Sequence, residues 1–276
     1  MTFSIVARSA DGHSHGIAVA SKFLAVGAAV PAAEAQIGAV ATQSYANLAY
    51  RPQALALLRT GVDAAGVVAG LTAADGGRTQ RQVGVVGATG AGATYTGADC
   101  HDWAGGVAGD GFAIQGNILV GPEVVDAMLA AWLGSDPAAP LARRLLAALR
   151  AGDEAGGDKR GRQSAALLVV ARGEGYGGTS DVVVDLRVDD HHEPLPEMAR
   201  LLHMHELLFG KPDPASLLAL DGPLAAEVRG RLVAAGHEGA TLDDALASWA
   251  GVENLEERIV PGKIDPLVLA HLRKAD

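Results

Sequence analysis

The stretch Thr2-Phe3-Ser4-Ile5-Val6-Ala7-Arg8, the turn Ala10-Asp11-Gly12 and the returning run Gly16-Ile17-Ala18-Val19-Ala20 decide the fold class. Strand formers cluster on both sides of a glycine turn, the pattern of an antiparallel hairpin. Further strands are expected at 25–30, stopped by Pro31, and at 37–42, 82–86, 93–96, 111–118, 164–171 and 181–188. Helices are expected at 52–59, 63–73, 122–133, 139–149 and 194–208, several opening on proline or a capping aspartate. Strands and helix pairs alternate in blocks, which disfavours a doubly wound parallel sheet. Stacked antiparallel sheets covered by helices fit the order better.

The frame around this pattern is a chain of 276 residues, 49% hydrophobic and 20% charged, with 36 glycines and only 4% aromatics. Such a core is packed by small and β-branched side chains. The formal net charge of -10 and the lack of a basic cluster argue against nucleic acid and against acidic membranes as partners. Cys100 is the single cysteine, so no intrachain disulfide forms. With no apolar run of membrane-spanning length and no leader pattern, a cytoplasmic location is expected. Gly210-Lys211-Pro212-Asp213-Pro214 is the expected boundary between an α/β domain over 1–210 and a small helical module over 211–276.

Four segments carry chemistry. Thr2, once Met1 is removed, places a hydroxyl beside its own α-amine, whose ordinary pKa of about 8 suits a general base. The hairpin returns Ser21 and Lys22 towards it, and Lys22 could hold that amine neutral by like-charge repulsion. Gln115-Gly116-Asn117 offers carboxamides to a developing oxyanion, with Gln43 after another strand beside the same cleft. Asp99 and Asp102 flank Cys100-His101 as a pocket wall, adjacent residues being poorly placed as a nucleophile and base. Asp185 to His192 holds carboxylates and imidazoles in one contiguous run. Asp189 and His191 are expected to bind substrate, and a metallohydrolase at Asp189, Asp190 and His191 is the competing reading. The glycine-rich run 87–92 leads into a strand rather than a helix, so it is no dinucleotide fingerprint.

Taken together, Met1 to Arg8, the run 16–27, Gly38 to Gln43, Gly97 to Cys100, Asp102 to Gly105, Gln115 to Asn117 and the run 185–192 resemble the DUF1028 family over roughly residues 1–210. That family is assigned to the amino-terminal nucleophile hydrolases. The resemblance implies a four-layer αββα sandwich and amide hydrolysis, with Thr2 at the nucleophile position. Proteasome-type members carry a lysine on a later strand; residues 31–37 contain none, and Lys22 would substitute. The tail, through Glu227 to His237, 242–249 and 264–272, resembles a small helical peptidoglycan-binding module. The expected function is an amidohydrolase with Thr2, Lys22 and Asn117 catalytic and with Ser21, Gln43, Asp99, Asp102, Gln115, Asp189 and His191 binding a small amide. No metal or organic cofactor is expected, and a homodimer is. The alternative is a non-catalytic protein that binds a small ligand or cell-wall fragment.

Overall fold

The first hairpin forms over its full length. β1 (Thr2–Arg8) pairs antiparallel with β2 (Ser14–Ser21), from Thr2 opposite Ser21 to Arg8 opposite His15. Gly12 turns the chain at a φ of 76°, in the left-handed region. The computed structural model describes residues 2–274; the chain divides into two compact units, Met1–Ala199 and Arg200–Asp276.

In the first unit the chain continues through α1 (Val26–Ala29), β3 (Pro31–Glu34), β4 (Gly38–Ser44), α2 (Tyr50–Arg59), α3 (Ala64–Ala73), β5 (Arg81–Gly87), β6 (Ala93–Thr96), β7 (Gly105–Gly109) and β8 (Phe112–Asn117). Then come α4 (Glu123–Gly134), α5 (Leu141–Glu154), β9 (Ser164–Ala171), β10 (Val182–Val188) and α6 (Pro194–Phe209). A six-stranded sheet runs in the order β10-β9-β2-β1-β8-β7 and a four-stranded sheet in the order β3-β4-β5-β6, with every neighbouring pair antiparallel.

Alternation along each strand assigns the faces. Val6, Ile17, Val19, Ala39, Ala41, Val86, Ala113 and Ala166 meet in one cluster between the two sheets. Val40, Val83 and Val85 point the other way, beneath Ala54, Leu55 and Leu58 of α2 and Val67 and Leu71 of α3. α5 lies against the outer face of the six-stranded sheet. It approaches so closely that a Cβ on Gly16 would stand 2.8 Å from Leu145 Cδ1. α4 packs on the same face, over β8.

Three departures from the sequence expectations have physical causes. Residues 25–30 are the short helix α1, not a strand. Val26 and Val30, four apart, are both buried, and a short apolar run does not distinguish helix from strand by periodicity. Pro31 opens β3 rather than stopping a strand, at the edge of its sheet where a missing N–H is tolerated. β7 carries three glycines and no strand signature; it exists because β8 offers it a ladder.

The second unit begins inside α6, ahead of the Gly210 loop, because Leu207 joins its core. It continues through β11 (Leu218–Ala219), α7 (Gly222–Ala234), α8 (Leu242–Glu253), β12 (Lys263–Ile264) and α9 (Pro266–Leu272). Thr241 and Asp244 close a reciprocal capping box on α8. Val228, Leu232, Leu246, Trp249, Ile264 and Val268 form the core. Arg258 is buried beside it, donating to Asp265 Oδ2 at 2.6 Å, to the Leu207 carbonyl at 2.6 Å and to the Glu206 carbonyl. Asp265 also caps α9 through Leu267 N. Arg258→Met leaves a carboxylate and two carbonyls without their donor. It is expected to cost roughly 3 kcal/mol, read as faster hydrogen exchange along α8. Unchanged exchange would show that this ion pair does not hold the unit together.

Candidate functional site

The space between the two sheets changes character along the strands. Its middle is aliphatic, but at the amino-terminal end of β1 the inward residues are hydroxyls and carboxamides. Thr2 begins β1, between β2 and β8, opposite Ser21 on one side and Asn117 on the other. Thr2 Oγ1 lies 3.0 Å from Ser21 Oγ. The Thr2 carbonyl accepts from Gln43 Nε2 at 3.2 Å and Asn117 Nδ2 at 3.4 Å. Ser4 donates to Gln43 Oε1 at 2.7 Å and accepts from Gln115 Nε2 at 2.6 Å. Thr2 is 7% exposed, and Ser4, Ser21, Gln43, Gln115 and Asn117 are 2% or less. The structure thus brings Thr2, Ser21, Gln43, Gln115 and Asn117 into one buried network.

Gln82 is the residue that sequence reasoning missed. It donates to the Gly116 carbonyl at 2.7 Å, to Thr96 Oγ1 at 2.8 Å and to the Gly105 carbonyl at 3.2 Å. Its Oε1 accepts from Gln43 Nε2 at 2.8 Å and Asn117 Nδ2 at 2.9 Å. The available signal was alternation, since Gln82 shares a face with Gly84 and Val86. Gly84 is required there, because a Cβ would stand 2.1 Å from Gln115 Oε1.

Other expected residues sit elsewhere. Lys22 is exposed: its Nζ donates to the Arg162 carbonyl at 3.3 Å and its backbone N–H to Asp158 Oδ2 at 2.7 Å, so it does not face the Thr2 amine position. A long charged side chain at the strand end gains more from water and a surface carbonyl than from burial among neutral groups that offer it no counter-charge. Asn117 uses both N–H groups on the Thr2 carbonyl and Gln82, which removes it as an oxyanion donor. Asp99 and Asp102 are exposed in the loop that docks beside β8 through His101 O, which accepts from Ile118 N at 2.9 Å. Cys100 is buried and donates to the Arg81 carbonyl at 3.4 Å. Phe23, Leu24, Tyr45, Leu48 and Val120 are exposed just beyond the ends of β2, β4 and β8.

Asp189 and His191 follow β10, three strand spacings or about 14 Å from β1. The Asp189 carbonyl accepts from Ala25 N, and His191 Nδ1 accepts from Glu193 N at 3.0 Å. Asp190 takes Gln163 Nε2. Among the described residues no group of three His, Cys, Asp or Glu side chains converges on a metal position. The run is contiguous, and its side chains splay to different partners, so the metallohydrolase reading is corrected.

Charge is held at the margins. Asp75 accepts from Arg81 Nε at 2.9 Å, Gly77 N at 2.8 Å, Asn47 Nδ2 at 3.2 Å and Tyr50 OH at 2.9 Å. Arg81 first, then Gly77 N–H, holds its carboxyl well below the usual carboxylate range. This clamp fixes β5 just before Gln82 enters the layer. At the opposite end of the layer His15 is fully buried, with neither ring nitrogen in a hydrogen bond. Burial, then the Arg8 charge, pushes it down to about 4; the Gly87 carbonyl, already occupied by Arg8 Nη1 at 3.0 Å, draws it only weakly upward. The unfolded chain takes up this proton near pH 6.5 and the folded chain does not until about 4. Stability is therefore complete above 6.5 and falls by about 3 kcal/mol as the pH drops towards 4. Urea titrations at pH 7 and 4.5 should show that loss in the wild type and a smaller one in His15→Leu; equal losses would contradict it.

The comparisons with known proteins agree with this layout. A family model described as DUF1028, a family of unknown function, matches residues 2–198. A second, described as "Putative peptidoglycan binding domain", matches residues 208–272, so the chain carries a peptidoglycan-binding-like domain there. The chain is similar to the crystal structure of protein SPO2555 from Silicibacter pomeroyi, a protein described under DUF1028. The identity is 29% and the TM-score 0.67, over 82% of this chain and 92% of that one. No curated protein matches it. Among the described residues no helix is long and apolar enough to cross a membrane. With the match running from Thr2 through all ten strands of the two facing sheets, the chain belongs to the DUF1028 family.

Proposed function

We propose that this protein is an amidohydrolase of the amino-terminal nucleophile type, its two facing sheets and flanking helix pairs being the αββα sandwich of that superfamily. The observation that carries the reading is Thr2 itself. It is the first residue of an interior strand, its hydroxyl is 3.0 Å from Ser21 Oγ, and it opens a buried layer end whose inward side chains are hydroxyls and carboxamides.

Removal of Met1, which lies outside the described residues, frees the Thr2 α-amine. Burial in a layer of hydroxyls and carboxamides disfavours its charged form, so the amine stays a free base near neutral pH without Lys22. The amine takes the hydroxyl proton as Oγ1 attacks the amide carbonyl carbon. Collapse of the tetrahedral intermediate breaks the C–N bond, and the ammonium returns the proton to the leaving amine. Water, activated by the same amine, then cleaves the Thr2 ester and releases the acid. With the Asn117 N–H groups occupied, a backbone N–H supplies the oxyanion contact.

Intact mass and a panel of small amides test this together. A chain lacking Met1 that releases amine from one of them supports the reading; a purified protein that keeps Met1 overturns it. The domain over 208–272 favours a second reading, a protein that binds cell-wall fragments. Co-sedimentation with purified peptidoglycan separates the two, since binding without turnover selects the second.

A further inference from the structure

The orientation of the buried carboxamides follows from chemistry alone. Gln82 Nε2 faces two backbone carbonyls, Gly116 at 2.7 Å and Gly105 at 3.2 Å. A carbonyl only accepts, so the nitrogen must lie on that side. Gln82 Oε1 then lies on the other side, where it needs donors and receives Gln43 Nε2 and Asn117 Nδ2. Asn117 Nδ2 also reaches the Thr2 carbonyl. Both its hydrogens are engaged, which leaves Asn117 Oδ1 buried and without a hydrogen-bond partner, as is Gln115 Oε1 two residues back along β8, opposite Ser4 rather than Thr2. A buried acceptor with no donor is uncommon and marks a place where a donor belongs. Asn117 stands directly opposite Thr2 in the β1–β8 ladder. The donor that processing creates at this spot is the Thr2 α-amine.

We propose that Asn117 is a positioning residue whose Oδ1 accepts an N–H of the Thr2 α-amine and turns the amine lone pair towards the Thr2 hydroxyl, with Gln82 locking the carboxamide in that sense. This rests on the amino-terminal nucleophile reading. The role is the reverse of an oxyanion donor: Asn117 holds the base rather than the developing negative charge. When the amine takes the Thr2 proton, the same Oδ1 keeps one of the ammonium N–H groups, and the proton that moves on is another. The groups facing this position from the second sheet, Gln43 and Gln82, are neutral. On the six-stranded side the charged groups at this end are Lys22, Asp158 and Arg160, with Lys22 N and Arg160 both engaged by Asp158. Asp99 and Asp102 lie on the exposed loop beyond β8.

The test reads the amine directly. The full chain is prepared with Thr2 as its first residue by cleaving an amino-terminal fusion. The α-amine is titrated by competitive acetylation with acetic anhydride across pH, followed by mass spectrometry. Asn117→Asp places a carboxylate against the amine and raises its pKa by about one unit or more. Asn117→Leu removes the acceptor and lowers it, and Gln82→Leu, which releases the carboxamide, shifts it the same way as Asn117→Leu. Opposite shifts in N117D and N117L are the expected result, and general damage to the fold does not produce them. Equal pKa values in wild type and N117D, or shifts in one direction in both, overturn the proposal. Because no substrate enters this measurement, its outcome stands apart from whether any amide is turned over.

Discussion

Thr2→Ala is expected to lower turnover of whichever amide the wild type hydrolyses by at least about 10³-fold. Alanine keeps the α-amine, the β1 ladder and the register with Ser21 and Asn117, and it deletes the attacking oxygen together with the γ-methyl. The remaining site can do no more than let the amine assist a water. The lost hydroxyl contact to Ser21, 3.0 Å long, costs about 1 kcal/mol, so the variant should fold and bind as before. Thr2→Ser is the control: it restores a hydroxyl on the same carbon and should recover a large part of the rate. Steady-state kinetics on both variants, with thermal scans for integrity, check this. Turnover that survives Thr2→Ala unchanged would move the chemistry elsewhere.

Gln82→Leu is expected to destabilise the first unit by about 4 kcal/mol, more than an ordinary surface change of similar size. Leucine fills nearly the same volume, so little of the loss comes from a cavity. The loss comes from partners. The carbonyls of Gly105 and Gly116 lose their donor, and Gln43 Nε2 and Asn117 Nδ2 lose their acceptor; all but the half-buried Gly105 carbonyl lie in a region closed to water. Urea unfolding of the two proteins gives the difference. A loss below about 1 kcal/mol would show that the carboxamides re-pair without Gln82 and that the network has no keystone.

Several features of the fold were legible in the sequence because they rest on near neighbours. The hairpin was readable from seven strand-forming residues, a glycine turn and a second run of strand formers. The helices starting near Pro122 and Asp63 were readable from their first turns. Mixed α/β character with antiparallel sheets followed from the order of the elements, and the helical tail from its composition. Where the local signal was thin the reading failed. Residues 25–30 are apolar enough for either strand or helix, and β7 has almost no side chains to betray it.

The site divides in the same way. Thr2, Ser21 and Asn117 were singled out from residue type and strand position, and each lies on a strand that touches β1 or is β1. By itself the sequence determined the hairpin and the return of Ser21 towards Thr2, since strand formers and a glycine turn act over a few residues. Only the tertiary structure decided that Gln43 and Gln82, from the second sheet, close over Thr2, that Lys22 turns to the surface, and that the unpartnered atom of Asn117 is its oxygen. The physical reason is range. Those outcomes depend on hydrogen bonds between residues 34 to 140 positions apart, and on carbonyls of glycines that carry no signal of their own.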